Sequence, residues 1–89
     1  MAEVKLGILF FAKAREILKK SEDVIVLKRD TANAKEIFLH VESAFPELKV
    51  LNRAFVLALN EEYLALDADE PLQLKPTDQL AVIPPLSGG

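Results

Sequence analysis

The chain of 89 residues has no cysteine, no tryptophan, one histidine, one methionine and only three glycines. Without cysteine there can be no disulfide scaffold, no thiolate metal site and no cysteine nucleophile. A single histidine leaves little material for a metal cluster or a proton relay, and no metal site is expected. Basic charge is also scarce. Eleven Lys and Arg face fourteen Asp and Glu, a net charge of -3, and the isoelectric point is about 5.1. No general basic surface is available to neutralise phosphates, so a nucleic-acid partner is not expected. Long apolar runs are missing as well. No window approaches the roughly 20 apolar residues of a membrane span, and the opening MAEVKLGILFF lacks the basic and long apolar regions of a secretion signal. These features lead us to expect no membrane partner and a cytoplasmic location.

What is present describes one compact domain. Apolar residues make up 51% of the chain, enough for a core, although a domain this small buries only about 60% of its unfolded surface. The charge is unevenly spread. Residues 1–45 carry eight Lys and Arg against seven Asp and Glu, whereas residues 46–89 carry three against seven. The acidic C-terminal half favours a partner with a basic face.

Val4, Leu6, Ile8 and Phe10 alternate with their neighbours, a period of two that predicts a strand. From Ala12 to Lys20 the rhythm becomes helical, with Ala14, Ile17 and Leu18 on one face. Val24–Leu27 predicts a second strand. Thr31 or Asn33 can cap a longer helix, and Asn33 with Glu36 has capping-box spacing. Ala34, Ile37, Phe38, Val41 and Phe45 form its packing face, with His40 off that face and expected in solvent. Pro46 ends the helix at or before Phe45. Phe55–Leu59 is almost wholly apolar and reads as a central strand covered on both faces. After a turn at Asn60–Glu62, Tyr63–Leu66 predicts a short return strand. Leu72–Leu74 predicts an extended piece and Gln79–Ile83 a last strand. This order predicts an α+β fold, a mixed sheet with helices on one face. Placing the apolar first and last strands side by side at its centre gives the β-grasp arrangement, with residues 1–84 as the domain and 85–89 as a flexible tail.

The tail is the most specific feature: Pro84-Pro85-Leu86-Ser87-Gly88-Gly89. With glycine at roughly 7% of residues, two in succession at the end arise by chance in about one chain in 200. The prolines lack amide protons, so the strand must stop there and project the last residues outward. Two glycines form the thinnest possible peptide, able to thread a narrow channel with the carboxylate leading. Activation by ATP to an acyl-adenylate would turn that unreactive carboxylate into an electrophile.

Three segments carry a resemblance: Leu9-Phe10-Phe11-Ala12-Lys13-Ala14-Arg15-Glu16, Asn60-Glu61-Glu62-Tyr63, and the stretch from Asp78 to Gly89. Together they resemble the small subunits of molybdopterin synthase, over nearly the whole chain. Two departures affect turn geometry: Lys19-Lys20 stands where the family has a glycine after the first helix, and Thr77-Asp78-Gln79 replaces Gly-Asp-Glu. The resemblance implies a ubiquitin-like sulfur carrier of molybdenum cofactor biosynthesis. Gly89 would be adenylated by an ATP-dependent activating enzyme and converted to a thiocarboxylate. Gly88, Ser87, Leu86 and Pro85 would enter the large synthase subunit behind it, and that subunit supplies the catalytic pocket. There the sulfur would pass to precursor Z (cyclic pyranopterin monophosphate), within a heterotetramer of two small and two large subunits. The small subunit would have no activity alone and no permanently bound cofactor, ATP being used by the activating enzyme. By family position, Phe11, Arg15, Tyr63 and Ile83 would form a patch that contacts both partners. Alternation independently places Phe11 and Ile83 on the face opposite Phe10 and Val82. The alternatives are a sulfur carrier for another pathway and a protein modifier joined to lysines through Gly89. With no cysteine to hold a persulfide, a sulfur carrier of this sequence would have to carry its cargo on the backbone carboxyl.

Overall fold

The computed structural model describes residues 3–84. Its main sheet contains β1 (Val4–Phe10), β2 (Glu22–Leu27), β4 (Val56–Leu59), β5 (Glu62–Tyr63) and β7 (Gln79–Ile83). The spatial order is β2-β1-β7-β4-β5. A second ladder of two residues each joins β3 (Thr31–Ala32) to β6 (Leu72–Gln73). The first and last strands are parallel neighbours, with Leu9 opposite Ala81 and Phe10 opposite Val82. The other three pairings, β1 with β2, β7 with β4 and β4 with β5, are antiparallel. The expected mixed sheet with a central pair of chain-terminal strands is therefore present.

Alternation decides which face is covered. Val4, Leu6, Ile8 and Phe10 of β1 and Leu80 and Val82 of β7 point into the core, all nearly inaccessible to water. Two helices lie over this face, α1 (Ala12–Leu18) and α2 (Ala34–Ala44). In α2 the capping box forms as the spacing predicts: Glu36 N–H donates to Asn33 Oδ1 at 2.8 Å, and Asn33 N–H to Glu36 Oε1 at 2.9 Å. Ala34, Ile37, Phe38 and Val41 then enter the core. Phe45 lies edge-on to Phe10 with ring centres 5.0 Å apart, and Phe38 stacks on Phe55 at 4.7 Å. Pro46 stops α2 and opens a 3-10 helix over Pro46–Leu51, which fits its fixed φ and missing donor.

Several boundaries differ from the sequence expectation. Helix α1 closes at Leu18 because Lys19 turns left-handed, with φ 59° and ψ 33°. Lys19 belongs to the Lys19-Lys20 departure noted above, and a residue without Cβ adopts that conformation most easily. Thr77, the other departure, has no positive φ, so its side chain meets no such conflict. The return strand contracts to Glu62–Tyr63. β4 is only partly covered on its second face: Ala58 is buried, but Val56 is 46% exposed. His40 is half-buried rather than free in solvent, its Nε2 lying 2.9 Å from the Val26 carbonyl oxygen. The imidazole thereby ties α2 to the outer strand β2.

Candidate functional site on the open face of the sheet

Among the described residues no layer covers the face of the sheet away from the helices, and its composition is unusual for a solvated surface. Strand register aligns Leu9, Ala81, Ala58 and Tyr63 in a row across β1, β7, β4 and β5. Beside this row Val56 pairs with Ile83. Phe11 stands at the end of β1, where its N–H donates to the Val82 carbonyl at 3.2 Å. The two central alanines leave a trough between larger neighbours. Phe11 is 43% exposed and Tyr63 73% exposed. A monomer that leaves such aromatic and aliphatic side chains contiguous on one face presents a surface suited to a protein partner.

Two adjoining grooves mark the surface. One is lined by Arg53, Val56, Tyr63, Ile83 and Pro84, among others. Its neighbour includes Leu9, Phe11, Glu61, Tyr63, Ala81 and Ile83. Tyr63 and Ile83 therefore form the wall common to both. Of the four residues expected in the patch, the structure brings together Phe11, Tyr63 and Ile83. Arg15 stands apart from both grooves. It is exposed on α1, one helical turn beyond Phe11, and its N–H donates to the Phe11 carbonyl at 3.4 Å. Sequence reasoning missed Leu9, Val56, Ala58 and Ala81. Parity within each strand held the signal, since Leu9 shares a face with Phe11 and Ala81 with Ile83. β4 concealed the rest because every residue in Val56–Leu59 is apolar.

A hydrogen-bonded lock underlies one edge of this face. Asn60 and Glu61 form the two-residue turn between β4 and β5, with φ values of 51° and 71°. Both being positive, this is the turn type whose twist matches a β-hairpin. The Asn60 amide donates from Nδ2 to Asp78 Oδ1 at 2.9 Å, while Asn60 Oδ1 accepts the Gln79 N–H at 2.9 Å. Lys75 N–H donates to the other Asp78 oxygen at 2.8 Å. The Asn60 donor is the main influence lowering the Asp78 pKa below its ordinary 3.8. Burial works against it, and the Lys75 amide adds to the lowering. The ionised carboxylate thus fixes the turn carrying Glu61 to the loop that leads into β7.

β7 ends at Ile83, and Pro84 is buried beside it. The tail residues Pro85, Leu86, Ser87, Gly88 and Gly89 lie outside the described residues. Among the described residues no cluster of three or more His, Asp or Glu could hold a metal ion. Nor, among them, is any helix long and apolar enough to cross a membrane.

A five-stranded mixed sheet with a parallel central pair and both helices on one face defines a β-grasp, ubiquitin-like domain. The ThiS family matches residues 8–89. The molybdopterin synthase sulfur carrier subunit of Chlamydomonas reinhardtii is 36% identical over 86 residues, covering 97% of this chain and all of that protein. The fold is shared with SAMP1 from Haloferax volcanii, at a TM-score of 0.71 and 21% identity over 99% of this chain and all of that one. It is also shared with a chain in the complex of subunits 1 and 2 of molybdopterin-converting factor from Helicobacter pylori. There the TM-score is 0.56 and the identity 22%, over 99% of this chain and all of that one. The chain belongs to the ThiS family, in the group of sulfur carrier subunits of molybdopterin synthase.

Proposed function

We propose that the chain carries sulfur as a thiocarboxylate on Gly89 and delivers it inside a large synthase subunit. A Gly89 carboxylate oxygen attacks the α-phosphorus of ATP on an activating enzyme, releasing pyrophosphate and leaving an acyl-adenylate. A sulfur nucleophile then displaces AMP from the acyl carbon. The loaded end, preceded by Gly88, Ser87, Leu86 and Pro85, enters the large subunit and gives its sulfur to precursor Z. The catalytic pocket belongs to that partner, so the chain alone turns over nothing. The assembly is two small and two large subunits, and the site of action is the cytoplasm.

The observation that carries this reading is the continuity between the apolar open face and the end of β7. Ile83 and Pro84 line the groove beside Tyr63, and the sequence passes from them directly to Pro85–Gly89. A partner that covers the face would therefore receive the terminal residues at its own edge. Phe11, Tyr63 and Ile83 supply contact area, while Arg15 stands apart on α1.

Intact-mass measurement tests the chemistry. With its matching activating enzyme, ATP and a sulfur source, the chain gains roughly 16 Da at the terminus, the mass by which sulfur exceeds oxygen. Removal of Gly89 abolishes the gain. Absence of any gain with the full chain would sink the proposal.

A further inference from the structure

Six described residues other than glycine have positive φ, and four of them flank β4 in two pairs: Asn52-Arg53 and Asn60-Glu61. The pairs have a common pattern. Asparagine tolerates the left-handed region, but the second residue in each case is long and charged, and glycine would sit there with least strain. Arg53 has φ 63° and Glu61 has φ 71°. A backbone outlier of this kind points to a use for the side chain it carries.

Both residues line grooves of the apolar face. Arg53 lines the groove formed by Val56, Tyr63, Ile83 and Pro84. Glu61 lines the adjoining one, with Phe11, Tyr63 and Ala81. Six residues separate the pairs, Ala54 and Phe55 and then the four of β4, and the strand alone spans roughly 13 Å at ~3.3 Å per residue. The face therefore has an arginine at one end, a glutamate at the other and an apolar centre. Arg53 is also held in place. Its Nε donates to Glu42 Oε2 at 3.3 Å, and the Glu42 side chain is only 10% exposed whereas that of Arg53 is 67% exposed. Among the described residues the outer guanidinium nitrogens make no further hydrogen bond, which leaves a planar pair of donors.

We infer that Arg53 and Glu61 set the direction in which a partner seats on the open face. The occupant is a protein surface with an apolar ridge, a carboxylate where it meets Arg53 and a cationic side chain where it meets Glu61. Charges at the two ends of an apolar contact contribute register and association rate more than raw affinity. Reversed seating would bring like charges together at both ends, so the partner settles with the end of β7 toward one side only. This inference rests on the docking reading proposed above and adds the residues that orient it.

The test is calorimetric titration of the full chain with its cognate large synthase subunit at low and high salt. Glu61→Gly relieves the backbone, so its melting temperature equals or exceeds wild type while its affinity at low salt falls about threefold to tenfold. Arg53→Gly weakens binding to a similar extent. The double glycine variant has a shallower salt dependence than wild type. Arg53→Glu and Glu61→Arg each weaken binding further, and combining the two reversals does not restore it because the polarity is inverted. Folded glycine variants with wild-type affinity and salt dependence overturn the inference while leaving the docking reading intact. Failure of the wild-type chain to bind the large subunit overturns both. A homodimer through this face, lost in the same variants, also overturns the inference by making the occupant a second copy.

Discussion

Asp78 is the residue whose replacement tests the structure most sharply. Its side chain lies in a nearly inaccessible position, 6% exposed, and accepts two hydrogen bonds, at 2.9 Å from Asn60 and 2.8 Å from Lys75. Bonds to a charged acceptor contribute about 1.5–3 kcal/mol each, and water recovers part of that in so small a domain. We expect Asp78→Ala to cost about 3 kcal/mol, a melting temperature lower by about 12–24 °C for a domain of this size. Asp78→Asn separates charge from shape. The network has fixed polarity, because Asn60 Oδ1 is committed to Gln79 N–H and its Nδ2 must donate. An amide at position 78 can accept from only one of the two donors, so Asp78→Asn should cost about half as much. Acidity supplies a further check. The folded pKa lies below 3.8, so the carboxylate contributes its full stabilisation above the unfolded value and loses it as pH falls through the folded one. The gap between wild type and Asp78→Ala, measured by thermal melts monitored by circular dichroism, must narrow below pH 3.8. A gap of constant size from neutral pH into that range, or an asparagine variant as stable as wild type, would refute the reasoning.

Two further perturbations rest on local backbone chemistry. Asn33→Ala removes the acceptor for Glu36 N–H and should cost about 1 kcal/mol, read as a lower melting temperature with unchanged helix content below the transition. Lys19→Gly relieves a left-handed side chain at the end of α1. Against the added freedom of glycine in the unfolded chain, a net gain of about 0.5–1 kcal/mol remains, visible as a raised denaturation midpoint.

Legibility in the sequence tracked the strength of local signals. Val4–Phe10 and Gln79–Ile83 alternate cleanly because one face meets helices and the other does not, so both strands and the face of Phe11 could be read. Asn33 and Glu36 announced the start of α2 through spacing alone. The extended piece at Leu72–Leu74 could be read, but not its pairing with Thr31–Ala32, which joins segments about forty residues apart and each too short to show a period. The 3-10 helix that begins at Pro46 was equally silent: a proline marks where a helix stops but does not specify the conformation of the next residues. β4 misled for a different reason. Continuous apolar sequence ordinarily means burial on both sides, yet Val56 remains exposed on the open face. The same excess of apolar residues that obscured the strand's environment is what makes that face a candidate docking surface. Charge at its ends was invisible in sequence, because Arg53 and Glu61 become a pair only once β4 fixes the interval between them.

The placement of β7 has a mechanical consequence. The strand is hydrogen-bonded along both sides, in parallel to β1 and antiparallel to β4, and the sequence runs on from its end to the last residues. Tension on the last residues, such as withdrawal from a tight channel would create, therefore loads these bonds together in shear. An edge strand pulled sideways would instead yield one bond at a time. A pull on the end of β7 is thus borne by the sheet as a whole, which holds together as a rigid handle.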